Sequence, residues 1–552
     1  MAPARVFRLF PITVALLTLL VFLAALRNDF VNWDDVTSFL NNPGYRGLGW
    51  AQLKWMWTTH LMGRYIPITW MTLGLDYAIW EMDPFGYHLT SILFHAVNAL
   101  LFYFAALAVL RAATAASSQD LRSKLPIGAF FSALVFGLHP LRVESVAWVT
   151  ERRDVVCGLF FLLAILAYLR RFPDEPGQPP RRKYYWASLA CFVLAILSKE
   201  IAVTLPLVLL ILDVYPLRRL PGARTVWLEK LPFLAIGIAD GALALYVGSR
   251  ESIAASVAHV GWFSRFAISL YGLAFYLWKT VAPIHLSPFH ALTAHRMDPR
   301  ALPFQLSAAV VVLVTAAAWG LRRKLPALLA VWVAYTITLL PVVGIFQNGW
   351  QITADRYSYL ACLGWALLAG AGLLAAFAAW GQVGKWILSL AAASAIGALG
   401  FLTWQQTQVW RSSETLWAYS LAVDPSSVAF NNLGEMFSEQ GDVVTALEYY
   451  RQAVQMDPEN TQAHNNLGMA LLQLGDWEAA EREFQTALKQ WPAFANSHFG
   501  LACALMKQGK LDEAIDHFRT ALNINPGYTA ARHNLEEALE LKTRSPRPES
   551  PR

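Results

Sequence analysis

Twelve apolar blocks stand along this 552-residue chain, near 9–26, 89–110, 125–138, 155–169, 184–197, 201–212, 231–249, 266–284, 301–321, 325–346, 357–380 and 386–404. A water-soluble fold buries one or two cores and has no place for so many separated apolar runs. A bilayer has, because a helix of about 20 apolar residues crosses its hydrocarbon layer. Composition agrees: 56% of the residues are hydrophobic and 15% charged, where soluble domains carry about 25% charged residues. Several blocks are shorter than a perpendicular span needs. The first runs from Leu9 to Leu26 behind Arg5 and Arg8, and no small-residue cleavage site closes it. It reads as a transmembrane helix and not as a signal peptide.

Basic residues sit in short clusters at every second gap: Arg5 and Arg8; Arg111, Arg122 and Lys124; Arg170, Arg171, Arg181, Arg182 and Lys183; Arg218, Arg219, Arg224 and Lys230. Positive charge marks the cytoplasmic side. Arg322, Arg323 and Lys324 fit that side only if one block between 231 and 321 does not cross. Block 266–284, with Lys279 inside it and Pro283 and Pro288 at its end, is the candidate. Eleven or twelve membrane helices are expected; with 11 crossings, Asp355 and everything beyond 404 lie outside the cytoplasm. Charge arranged this way, with a net of +6, is explained by membrane orientation and not by nucleic-acid binding. Cys157, Cys191, Cys362 and Cys503 form neither a metal spacing nor a disulfide framework. No Walker loop, dinucleotide glycine motif or zinc spacing occurs. Asp240, alone in an apolar block, reads as a satisfied polar contact, since no acid or His stands ready to relay a proton.

Near Trp410 the chain turns polar and repeats every 34 residues: Leu433, Leu467, Leu501 and Leu535; Gly441, Gly475 and Gly509; Ala446, Ala480 and Ala514; Pro458, Pro492 and Pro526. This is the period of tetratricopeptide (TPR) helix–turn–helix units. Gly434, Gly468 and Ala502 let paired helices approach, Tyr450, Phe484 and Phe518 fill the gaps between units, and each proline ends a unit. Units are expected at 427–460, 461–494 and 495–528, with a capping helix at 529–542 and a disordered tail at 543–552. The fold class is therefore all-α. A polytopic helical bundle covers 1–408 with an extracytoplasmic loop at 27–88, a linker follows at 409–426, and an α-solenoid of TPR repeats covers 427–542.

Asp34 and Asp35 follow the first span within a few residues. Adjacent carboxylates at a membrane surface are costly if dehydrated. They read either as loop or cap acids or as a general base for an acceptor hydroxyl. An anionic leaving group needs cations nearby, and Arg64, Arg142, Arg152, Arg153, Lys199 and Arg356 fall on the same expected face. They lie in dense polar strings: His139 to Trp148 with Glu144, continuing to Asp154; Ser198-Lys199-Glu200; and Asp355-Arg356-Tyr357-Ser358-Tyr359. These residues make no cofactor certain. The Asp pair is able to bind a divalent metal, although no further ligand is evident. Trp33, Trp50, Trp55, Trp57, Trp70 and Trp80 crowd the same loop, as aromatic rings do at headgroup level.

In this order the pieces resemble the transmembrane-and-TPR O-mannosyltransferase family, within the GT-C class of polytopic glycosyltransferases. The resemblance rests on Phe30-Val31 through Asp34-Asp35, Tyr65-x-Pro67-x-Thr69, Tyr87-His88 with His95, His139-Pro140 with Glu144 and Trp148, Ser198-Lys199-Glu200, Asp355-Arg356-Tyr357-x-Tyr359-Leu360, and the TPR tail. It implies an inverting transfer of mannose or another hexose from a dolichyl- or other polyprenyl-phosphate carrier to a Ser or Thr hydroxyl of a protein. It implies an acid of the first extracytoplasmic loop as base, a role that maps to Asp34 or Asp35 without choosing between them. Lys199 and Arg356 are implied as phosphate contacts, with Arg142 and Arg64 beside them. Glu144, His139, Glu200, Asp355, Tyr357 and His88 are implied in support. Two positions depart from the family: Ile66 stands where an Arg separates the Tyr and Pro, and Arg142 stands where a neutral residue or His is expected. Both leave the sugar open. The implied partners are the lipid-linked sugar, membrane lipid and an acceptor protein or peptide in the TPR groove, with no nucleic acid. The implied setting is a multi-pass membrane protein, in the inner or plasma membrane if bacterial, with the active site and the TPR units extracytoplasmic. The alternative is a non-enzymatic, membrane-anchored TPR scaffold for envelope assembly. A flippase for lipid-linked sugars predicts internal repeats in the membrane part, and none stand out.

Overall fold

The computed structural model describes residues 7–115, 117–172, 178–219, 224–248, 261–291, 298–345 and 351–544. Arg5 and the tail beyond 544 lie outside them; Thr543 and Arg544 continue the last helix, Thr529–Arg544. The chain forms two compact units, Met1–Ser412 and Ser413–Arg552.

The first unit is a helical bundle. Five of its described helices are long and apolar enough to cross a membrane: Phe10–Arg27, Pro84–Ala113, Arg224–Val247, Leu302–Gly320 and Gln382–Val409. Two bent pairs, Gln119–Gly137 with Pro140–Ala147 at 56° and Asp355–Ala361 with Leu363–Ala379 at 58°, raise the number to seven if each is one span. The remaining blocks make shorter or charged helices, such as Arg182–Ile196, Leu205–Val214 and Pro326–Leu339. Their apolar stretches end at prolines or charged turns before 20 residues are reached. Block 266–284 forms Trp262–Val281, which carries Arg265 and Lys279 and is not among the five. Asp240 sits half-buried within Arg224–Gly248, with Oδ2 unpaired among the described residues. The only described strands are His290–Ala291 and Gln351–Thr353, a short antiparallel pair.

Two charged layers terminate the bundle. The helix Arg152–Arg170 has 19 residues, so its ends stand about 28 Å apart at 1.5 Å per residue. Its first turn belongs to the layer around Asp35 described below. At its far end, Tyr168 donates to Asp213, whose carboxylate also takes Lys230 at 2.5 Å and Arg219 at 2.7 Å. Arg219 and Arg171 both reach Glu229 there. A buried carboxylate in an apolar bundle persists only with such partners.

The second unit contains paired helices: Ser427–Glu439 with Val443–Met456, Thr461–Gln473 with Trp477–Gln490, and Ala495–Lys507 with Leu511–Ile524. Thr529–Arg544 follows as a single helix. Gly441, Gly475 and Gly509 turn each pair at φ +84°, +85° and +81°, the left-handed conformation that ends a helix. A Cβ on Gly434 would meet the Tyr450 ring at 2.5 Å, so close helix approach requires glycine there. Ala446, Ala480, Ala514, Phe484 and Phe518 are fully buried in one core. The stretch expected as a linker contains a further helix, Ser413–Val423, whose Leu416 and Trp417 are buried. These two apolar residues give it a face to bury, which polarity alone did not reveal.

Candidate active site

The segment after the first span is fastened before it reaches Asp34. Asn28 Nδ2 donates to the Thr407 carbonyl at 3.3 Å, and the Asp29 amide to the Arg411 carbonyl at 2.9 Å. The chain thus leaves the first unit on the side of the bundle that carries Asp34. Trp33 then stacks on Trp148 with ring centres 4.4 Å apart, and Trp148 stacks on Trp410 at 5.5 Å.

The two aspartates part company here. Asp35 is buried; it accepts from the Val31 amide at 3.1 Å, the Thr150 amide at 3.2 Å and the Thr150 hydroxyl at 2.6 Å. Burial pushes its pKa up to about 7 against the pull of those hydrogen bonds. Asp34 is half-buried, with 21% of its side chain exposed, and its Oδ2 lies 3.9 Å from Arg64 Nη1. Both its neighbours are anchored, so its backbone is held in place while its carboxylate meets solvent.

Behind this pair three carboxylates meet three cations, all buried. Arg356 pairs with Glu144 and lies 2.9 Å from Glu151. Lys199 Nζ lies 3.1 Å from Glu151 and 2.7 Å from Asp154. Arg153 grips Glu151 through two nitrogens. Although burial alone raises its pKa, Arg153, Lys199 and Arg356 hold Glu151 well below the usual carboxylate range. Removing one partner of such a pair costs roughly 3–5 kcal/mol. A half-exposed contact such as Arg64–Asp34 is worth about 0–1 kcal/mol.

The expected phosphate contacts therefore divide. Lys199 and Arg356 are brought together on carboxylates, one of which Arg153 also holds, and neither lines the small cavity that takes in Arg64 and Arg153. Arg142 is buried between the Phe136 and Tyr359 rings, with Nε and Nη1 unpaired among the described residues. Arg64, 33% exposed at its side chain, lines a small cavity of about 20 Å³ with Arg153, Ser38, Met62, Thr69 and Thr150. Burial and the facing Arg153 guanidinium lower the Arg64 pKa. Glu200 adds negative charge near both arginines.

The residues expected in support stand in the following contacts. His139 accepts from the Leu141 amide and contacts the Thr280 carbonyl through Nε2. His88 is buried against the backbone of Asn28 and Asp29. Glu144 caps the Arg356 amide at 2.8 Å. Asp355 is buried with Oδ1 unpaired among the described residues, and the Tyr357 hydroxyl accepts from Gln351 at 3.0 Å. Sequence reasoning missed Thr150 altogether; no local signal marks a threonine that will clamp a carboxylate 115 positions away. Arg153 stood among the candidate cations, and only the cavity distinguishes it. Among the described residues no three His, Cys, Asp or Glu side chains converge to hold a metal.

A second, apolar groove of about 170 Å³ runs between the helices, lined by Phe102, Ala106, Phe161, Tyr215, Leu360 and Gly364 among others. Leu360 follows directly on the Asp355–Tyr359 string.

Two family models match the C-terminal unit: a tetratricopeptide repeat over residues 465–529 and a TPR repeat over 434–475. Across both units, similarity is found to the protein O-mannosyl-transferase TMTC4 of Homo sapiens, 25% identical over 80% of this chain and 65% of that protein. TMTC1 of Homo sapiens is 24% identical across 80% and 54%, and Tmtc3 of Drosophila melanogaster 25% identical across 72% and 49%. The chain spans between about half and two thirds of the length of these relatives. Among solved structures, the second TPR domain of human RPAP3, in complex with HSP70 peptide SGPTIEEVD, matches 20% of this chain and 94% of its own. The identity is 26% and the TM-score 0.20.

Proposed function

From this kinship with the transmembrane-and-TPR O-mannosyltransferases, we propose that the chain is a membrane glycosyltransferase that moves a hexose from a polyprenyl-phosphate carrier to a Ser or Thr hydroxyl of a protein. The observation that carries the reading is Asp34, a solvent-reachable carboxylate between two anchored neighbours and beside a cation.

A base must come within about 2.6–3.2 Å of the proton it takes. Asp34 is open to such an approach; Asp35, its oxygens occupied by three donors, is not. In the proposed reaction the acceptor oxygen forms a bond to the anomeric carbon as the carbon–oxygen bond to the phosphate breaks. The bonding pair leaves with the phosphate, the acceptor proton passes to Asp34, and the configuration inverts. Charge on the departing phosphate is met by Arg64 and Arg153, the two cations that share a cavity. Lys199 and Arg356 serve by fixing Glu151, and so Arg153, in place. The apolar groove offers the carrier's isoprenoid chain a dry channel between helices. The TPR unit follows at Ser413, and we assign it the recruitment of the acceptor. The site and the TPR unit are proposed to face away from the cytoplasm, because the basic layer of Arg171, Arg219 and Lys230 closes the opposite end.

Mass spectrometry of envelope proteins from cells with and without the gene tests this reading. Hexosylated Ser or Thr peptides are expected only with it. Identical glycopeptide sets in both, with the protein present in the membrane, would favour a scaffold.

A further inference from the structure

We infer that Arg64 exchanges partners during turnover, pairing with Asp34 before the donor binds and moving to the donor phosphate when it arrives, which frees the base. This rests on reading Asp34 as the base and a polyprenyl-phosphate sugar as the donor.

Of the ion pairs on this face, Arg64–Asp34 is the loosest. It is one contact at 3.9 Å between half-exposed side chains, whereas Arg356, Lys199 and Arg153 are locked in buried contacts. A weak, wet pair surrenders its partner readily; a buried one does not.

The loop that carries Arg64 holds two left-handed residues. Met62 adopts φ +56° and Gly63 φ +70°. Left-handed backbone is uphill for methionine, so a conformation of lower local energy is available to this loop. The cavity beneath admits about one water molecule at its present 20 Å³. A phosphate enters only if the loop shifts, and Arg64 shifts with it. Arg153 waits on the far wall, and the mutual repulsion of the two guanidinium groups is relieved by an anion placed between them.

The reaction sharpens the effect. The donor is a phosphodiester with one negative charge; the leaving phosphate carries two. Arg64 therefore binds more strongly as the bond breaks, which is where a cation speeds the step. The acceptor hydroxyl meets a free carboxylate only after the donor is seated, so binding is ordered, donor first.

Two measurements on the full chain in lipid nanodiscs test the exchange. Equilibrium binding of polyprenyl phosphate, the product, is compared in wild type and Asp34→Asn. Removing the competing carboxylate is expected to tighten binding by up to about fivefold, the most that a half-exposed pair such as Arg64–Asp34 holds back. Arg64→Gln is expected to lower kcat about tenfold, by more than it raises the donor KM, with Arg64→Lys partway between. An inactive Asp34→Asn that binds product no tighter than wild type overturns the exchange but leaves the base assignment standing. A fully active Asp34→Asn overturns the base assignment itself. If Arg64→Gln does not fold, the Asp34→Asn binding result decides alone.

Discussion

At Asp35 three donors converge on a carboxylate that burial holds near pH 7, and this has a measurable consequence. Its pKa rises on folding from 3.8 to about 7, so the native state keeps a proton that the unfolded chain has already lost. The contribution of this residue to stability is therefore greatest below 3.8, falls as pH climbs toward about 7 and levels off above that. The slope from this residue is at most about 1.4 kcal/mol per pH unit. Asp35→Asn should flatten that part of the profile, read as melting temperature against pH in one detergent. An unchanged slope in Asp35→Asn would place the proton elsewhere. Arg356→Ala, which strips Glu144 and Glu151 of a partner, is expected to cost about 3–5 kcal/mol in the same measurement. The sequence identified Asp34 and Asp35 as a pair but held them equal, because what separates them is Thr150, a long-range contact with no local pattern. It placed Lys199 and Arg356 ahead of Arg64 as phosphate contacts, without sight of the carboxylates that each of them meets. A cation is visible in sequence; the carboxylate that neutralises it across the fold is not.

Among elements, the TPR helices were legible almost residue by residue, since period, turn glycines and terminal prolines are all local. The membrane helices were legible as apolar stretches but not as spans. Hydropathy records composition and is blind to the 56° break after Gly137 and the 58° break after Ala361. The repeats also expose one conflict. In the second unit His464 Nδ1 meets Glu483 at 2.6 Å; 34 residues on, His498 Nδ1 meets His517 Nδ1 at 3.0 Å. Burial and the facing His498 lower the His517 pKa, with Glu513 and Asp516 acting the other way. That contribution is full above the ordinary His pKa and fades as pH falls through 6.5. His517→Glu recreates the earlier pairing and should reverse the trend: hydrogen-exchange protection in helices Ala495–Lys507 and Leu511–Ile524, taken relative to the intrinsic rate at each pH, then rises and does not fall on acidification. Equal exchange in both proteins would mean that the pair carries no such coupling.

For the whole molecule the account needs one arrangement across the bilayer. The first loop and the exit toward the TPR unit share a side, tied by Asp29 to Arg411, and the Tyr168–Asp213 layer lies at the other end of the bundle. Single cysteines placed at Trp50, at Arg411 and at Arg170 test this with a membrane-impermeant maleimide. Trp50→Cys and Arg411→Cys should label from outside intact cells, and Arg170→Cys only after lysis. Labelling of Arg170→Cys from outside would invert the topology and move the site to the cytoplasmic face. The claim on which all of this depends is that Asp34 removes the acceptor proton. It is tested by the initial rate of transfer from a labelled polyprenyl-phosphate hexose to a Ser/Thr-bearing protein, in wild type and in Asp34→Asn reconstituted side by side. A fall of about 10²–10⁴-fold with folding intact is the predicted result; a rate close to wild type would contradict it.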